Sequence, residues 1–258
     1  MASVAGRRRP KRDGRRRDWR TLMDVLTLGL WSLALFRYWI TGKLFLLLHP
    51  NYMWLANGAA ILLMGMALFK LRQWWRPQSR PGADHATLLP SYISSIILTA
   101  TAVVSLIYTP QAFTSDTAIQ RGIADSLTLT RSQPQRFVRQ ASPEERTIID
   151  WIRTLNVYPE PDAYASDPVD VSGFVIHPQD WPDDYLMVSR FVLTCCAADA
   201  YPVGLPVRLE ASRQSYPPDT WLSVQGRMTT DTIAGQRQLA IQPTQIEPIP
   251  EPRNPYQY

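Results

Sequence analysis

The chain has 258 residues, 45% of them apolar, and a net charge of +5, which gives room for one membrane portion and one small soluble domain. The charge is split: fifteen Lys and Arg stand against four Asp and Glu from Met1 to Tyr108, and twelve against eighteen from Thr109 to Tyr258, with no lysine after Lys70. Only Cys195, Cys196, His49, His85 and His177 offer thiol or imidazole, and no CxxC, HxxxH, HExxH, phosphate-loop or nucleophile-elbow spacing occurs, so no catalytic constellation and no enzyme is expected.

A basic block, Arg7 to Arg20, opens the chain. An apolar segment follows directly, so the block (residues 1–20) reads as a cytoplasmic tail that fixes topology rather than a nucleic-acid grip. Three apolar runs then predict transmembrane helices at about 21–41, 52–71 and 88–108 within a membrane region of 21–109, each long enough to cross a bilayer. The first lacks a small-x-small cleavage site and reads as an uncleaved anchor. Gly42 and Pro50-Asn51 favour its ending near Ile40, with Arg37 at the interface; an end at Leu48 would bury Arg37 and Lys43. Asn57, Gly58 and Gly65 are suited to helix packing. The second connection carries Arg72, Arg76 and Arg80 and the first only Lys43 and His49, so the N-terminus is expected in the cytoplasm and everything from Thr109 outside, in the inner (plasma) membrane.

Residues 110–166 read as a stalk, polar at first. Ser142-Pro143-Glu144-Glu145 has the form of a capping box before an amphipathic helix at about 143–156, with an Ile148, Ile149, Ile152 and Leu155 stripe. Tyr158 to Pro168 reads as a linker. Five strand-like stretches follow, near Val169–Val175, Tyr185–Cys196, Val207–Glu210, Trp221–Met228 and Gln238–Ile246. They predict a small all-β, OB-like barrel at 167–247, with an open sandwich as the second choice. The proline-rich tail, 248–258, is expected to lie extended over the surface without ladder pairing. An acidic, lysine-free domain on the outer side makes nucleic acid an unsuitable ligand.

The candidate site is FVLTCCAADAYPVGLPV, Phe191 to Val207. Adjacent cysteines in one strand point to opposite faces, so clasping a single metal requires a bend, for which Ala197 to Ala200 leaves room. Cys195, Cys196 and Asp199, with His177, form a candidate metal set for zinc or copper. Thiol–disulfide exchange, a partner contact and plain packing are the other readings of the pair. The acidic loop at Asp180, Asp183 and Asp184 fits no calcium spacing.

Taken in order, SPEERTIIDWIRTLN, VDVSGFVIH, YLMVSRFVLTCCAADAYPVGLPV, WLSVQGRM and NPYQY resemble an uncharacterised bacterial family, of cyanobacterial type, of two-component membrane permease accessory subunits. The resemblance covers nearly the whole chain and is most specific from Ser142 to Val207, with the CCAAD segment its strongest part. It implies a multi-pass helical anchor, an OB-like extracytoplasmic domain and a larger integral membrane permease as partner, moving an unidentified small molecule or ion. It transfers no catalytic residue. The expected function is that of a permease accessory subunit whose outer domain binds a partner or ligand; a membrane-tethered thiol oxidoreductase is the alternative.

Overall fold

The computed structural model describes residues 19–75, 91–122 and 142–258, which form two compact units. The basic block up to Arg17 and the Arg76–Arg80 connection lie outside the described residues.

The first unit holds α1 (Trp19–Ile40), α2 (Met53–Trp75) and α3 (Ser91–Ile107). α1 ends at Ile40, where Gly42 adopts a positive φ of 66° that a side chain would resist. Ala34, Ala60, Ala67 and Ala102 are buried, whereas a Cβ on Gly58 or Gly65 would meet nothing within 4 Å. The expected packing role therefore falls to the alanines. Polar side chains join the helices. Ser32 Oγ donates to Ala60 O at 2.7 Å, the Thr27 and Thr99 hydroxyls meet at 2.7 Å, Trp31 Nε1 donates to Leu98 O at 3.1 Å, and Lys70 pairs with Asp24. Arg37 donates to Leu106 O, at the C-terminal end of α3 where orphan carbonyls need donors.

Three crossings are expected from the sequence. Among the described residues one helix, Pro50–Trp75, is long and apolar enough to cross a membrane. The other two differ for physical reasons. α1 spans 22 residues but carries Asp24 and Arg37, and the described α3 has 17 residues, the expected start at Leu88 lying outside the described residues.

The second unit comprises Lys43–Met53 and Pro110–Tyr258. Its centre is a six-stranded sheet of β1 (Pro168–Ile176), β2 (Tyr185–Val192), β3 (Tyr201–Arg208), β4 (Trp221–Ile233), β5 (Gln236–Pro248) and β6 (Tyr256–Gln257). The order is β1-β4-β5-β3-β2-β6, and β1 also pairs with β2. The β4–β5 hairpin, turning at Ala234-Gly235, keeps register except for a bulge at Gln225/Gly226, where a Cβ on Gly226 would sit 2.2 Å from Gln242 O. β3 and β5 run parallel, Val207 facing Ile241.

Side-chain alternation gives β2 two apolar faces, and the strand is buried along its whole length. Leu186, Val188 and Val192 join one core cluster with Val171, Val203, Leu205, Val207 and Ile241. Met187 and Phe191 point the other way and meet Phe174, Ile176, Trp221 and Tyr256, with Leu46, Phe113 and Tyr258 packed against them. Phe113 precedes α4 (Ser115–Gln120), whose Ser115 N–H donates to Asp219 Oδ1 at 2.5 Å. Residues 110–122 are therefore built onto the sheet, where a loose stalk is expected.

α5 (Ile148–Val157) is also part of this unit. Its cap is Thr147, in a reciprocal box with Asp150. The expected cap, Ser142, precedes a separate 3-10 turn, Pro143–Glu145, and makes no side-chain cap bond. Ile148, Ile149, Trp151 and Ile152 are buried in the first cluster. The tail differs from expectation as well. Pro248 still pairs with Leu222, and β6 lies parallel to β2, Phe191 facing Tyr256. Gln257 fixes it, its Oε1 accepting from Ile149 N–H at 3.0 Å in the first turn of α5.

Candidate ligand site at the paired cysteines

β2 stops at Val192, so the strand expected to run through Cys196 ends before the cysteines. Leu193 to Ala200 forms a loop with a short 3-10 turn, Ala197–Asp199. This bend frees the two thiols from the opposite-face rule of a strand. Cys195 Sγ and Cys196 Sγ are 3.6 Å apart, and the ligand atoms of Cys195, Cys196 and Asp199 all lie within 4.8 Å of one another. Cys195 is exposed and Cys196 half-buried.

Asp199 organises the loop. Its carboxylate accepts from Cys195 N–H at 2.8 Å, from Cys196 N–H at 3.2 Å and from the Thr194 hydroxyl. Burial opposes its ionisation, but the bonds from Thr194, Cys195 and Cys196 outweigh that and hold the carboxyl below its usual range. The same carboxylate acts on Cys195 in the opposite sense. The Asp199 contact first, then the Cys196 thiol and desolvation, push the Cys195 thiol up to about 12. It is a protonated thiol at neutral pH.

His177 is not among the convergent ligands: its Nε2 donates to Tyr216 O at 2.9 Å. The acidic loop is also engaged in structure, Asp183 pairing with Arg213 at 3.6 Å and Asp184 O accepting from Leu209 N–H at 2.7 Å. Sequence reasoning missed the Leu47–His49 segment. His49 N–H donates to Cys195 O at 3.0 Å and Ala197 N–H to Leu47 O at 2.9 Å, which makes Leu48 and Cys196 an antiparallel bridge. The His49 ring meets Tyr258 edge-on at 4.7 Å, and its Nδ1 accepts from Asn51 N–H at 3.1 Å. No local signal pairs residues so far apart in sequence.

Arg190 is a second feature without a sequence signal. It is a buried charged residue, 9% exposed, and desolvation lowers its pKa to about 10. Its guanidinium donates to Ser172 O and Oγ, both at 2.8 Å, and to Asn254 O at 3.3 Å. It lies 4.6 Å over the Trp221 ring. These bonds tie the C-terminal segment to β1.

The molecule is thus a protein with a helical N-terminal portion and a β-rich C-terminal domain that presents an exposed dithiol. Residues 144–258 match the family model described as the DUF1980 C-terminal domain, a range that takes in α5, all six strands and the CCAAD loop. No curated protein matches the chain, and no solved structure does.

Proposed function

We propose that the chain is an integral membrane accessory subunit of a larger permease, anchored by three crossings, whose C-terminal domain is an OB-like barrel that meets a ligand or partner on the outer face. The observation that carries this reading is that Lys43–Met53, the connection between α1 and α2, belongs to the β unit. It shares that unit with Pro110–Tyr258, which follows α3. Two segments of one folded unit lie on one side of a membrane. If α2 crosses, the chain has to return before Pro110, and α3 is the apolar helix available for it. The excess of arginine at Arg72, Arg76 and Arg80 favours the cytoplasmic side for the intervening turn.

The return pairing of β1 with β2 and the parallel contact of β3 with β5 support the barrel, since an OB fold is a five-stranded Greek-key barrel. An OB fold takes oligonucleotides and oligosaccharides on its strand 2–3 face. Here β2 is buried throughout, which argues against that mode and against nucleic acid. The exposed CCAAD loop is the ligand or partner contact in this reading. An oxidoreductase needs a thiolate, and the protonated Cys195 works against it.

The test is single-cysteine labelling in membranes, in a Cys195→Ala, Cys196→Ala background, with a membrane-impermeant maleimide. Cysteines at Asn51 and Gln242 are expected to label from outside, and one at Gln78 only after permeabilisation. Labelling of Gln242 from the inside, or of Asn51 and Gln242 from different sides, rejects the topology. Co-purification of a large permease from mild detergent tests the partner.

A further inference from the structure

The peptide unit between Cys195 and Cys196 is pinned at both ends. Its carbonyl accepts from His49 N–H at 3.0 Å, and its N–H donates to Asp199 Oδ1 at 3.2 Å. A disulfide between adjacent cysteines closes an eight-membered ring that contains this same peptide. The sulfurs, 3.6 Å apart, would have to reach a bond length of about 2.05 Å. Cys196 is extended, at φ −154° and ψ 172°, and the two bonds resist any turning of the peptide that would bring the sulfurs together. The local structure therefore holds the pair open as a dithiol.

Among the described residues, the ligand atoms that converge at the loop are the two sulfurs and the Asp199 carboxylate. Asp199 already accepts from Thr194, Cys195 N–H and Cys196 N–H, which uses three of the roughly four lone-pair sites a carboxylate offers. His49 Nδ1 accepts from Asn51, and His177 is engaged by Tyr216. Zinc takes four protein ligands in a structural site, or three and a water in a catalytic one. Two sulfurs and a carboxylate whose lone pairs mostly serve the loop fall short of both. Thiolates also select copper in its cuprous state, which is stable at low coordination number.

We propose that Cys195 and Cys196 form a two-sulfur site for a cuprous ion, with Asp199 and the Leu48–His49 segment as positioning residues that keep the pair open. Each thiol gives its proton to solvent as its sulfur–copper bond forms, and copper does not change oxidation state. The exposed Cys195 leaves one side of the ion accessible, which suits transfer better than storage. The inference deepens the reading above and rests on its outer placement only for why a guard against oxidation matters.

The experiment uses the full chain in mild detergent, with copper(I) supplied against the chelator bicinchoninate. One equivalent is expected to stay with the protein, and zinc is expected not to bind. Cys195→Ala and Cys196→Ala should each lose copper. Asp199→Asn and His49→Pro, which removes the pinning N–H, should weaken binding by about 10- to 100-fold. A second readout separates positioning from general damage. Oxidised glutathione converts the dithiol to a vicinal disulfide and two molecules of glutathione, whose sulfurs take up the two thiol protons. His49→Pro, and Asp199→Asn compared at equal thiolate fraction, should do this severalfold faster than the parent. Copper retained by both alanine variants, zinc bound with equal stoichiometry, or parent and variants oxidising at one rate overturns the proposal. If His49→Pro does not fold, Asp199→Asn gives both readouts. Failure to bind copper with the outer placement intact rejects this site alone, and an inner placement with copper bound rejects only the topology.

Discussion

Ile152→Ala separates a helix that merely connects from one that belongs to the core. Ile152 is 1% exposed on α5 and lies in the first core cluster with Ile148 and Trp151. The substitution removes three carbons, at about 0.8 kcal/mol per buried methylene, or about 2.4 kcal/mol in transfer alone. The cavity left behind adds to this, and the total expected is about 3–4 kcal/mol, inside the range of about 2–5 for such changes. For a unit of this size that corresponds to a melting temperature lower by about 10–15 °C. Val157, at the end of the same helix, is 67% exposed, and Val157→Ala should stay within about 0.5 kcal/mol. The assay is thermal and urea unfolding of the full chain in mild detergent, followed by circular dichroism in the β-sheet region. Equal transitions for the two variants would refute the reasoning and return α5 to the status of a stalk helix.

Gly173→Ala tests a tightly packed point of the sheet, since a Cβ there would sit 2.5 Å from Ser189 O and 2.8 Å from Val188 Cγ1. A loss of about 1–3 kcal/mol is expected in the same unfolding assay, whereas Gly58→Ala, inside α2 with nothing within 4 Å, should destabilise nothing and add up to about 1 kcal/mol through helix propensity. For Cys195, the thiol is raised to about 12 by the Asp199 carboxylate first of all, so iodoacetamide should modify it slowly at neutral pH and faster as pH climbs toward that value. Asp199→Asn should move the profile down toward the ordinary thiol value of about 8.5. Peptide mapping across neutral to alkaline pH reads the rate, and superimposable profiles would show that Asp199 does not control the thiol.

Much of the fold is legible locally. The Ile148, Ile149 and Ile152 stripe announces α5, and the strand cores near Val169–Val175 and Trp221–Met228 stand out because alternation and turn residues act over a few neighbours. The helix cap shows where local rules compete. Ser142 and Thr147 each precede a carboxylate by three residues, and the Thr147–Asp150 box wins because the helix that buries Ile148 and Trp151 begins there. The proline-rich tail misleads for a related reason: proline forbids only its own N–H, and Tyr256 and Gln257, which have theirs, pair with β2.

The candidate site divides in the same way. The residue types at Cys195, Cys196 and Asp199 are visible in sequence, because a cysteine pair followed by an acid is a local pattern. Their convergence depends on β2 ending at Val192 and on the Asp199 cap, and the exclusion of His177 depends on Tyr216, 39 residues away. Residue order alone carries the succession of elements, the split in charge and the identity of the thiols. The pairing of Leu48 and His49 with the cysteine loop comes from the folded chain, because that contact joins segments about 150 residues apart and no periodicity spans such a distance.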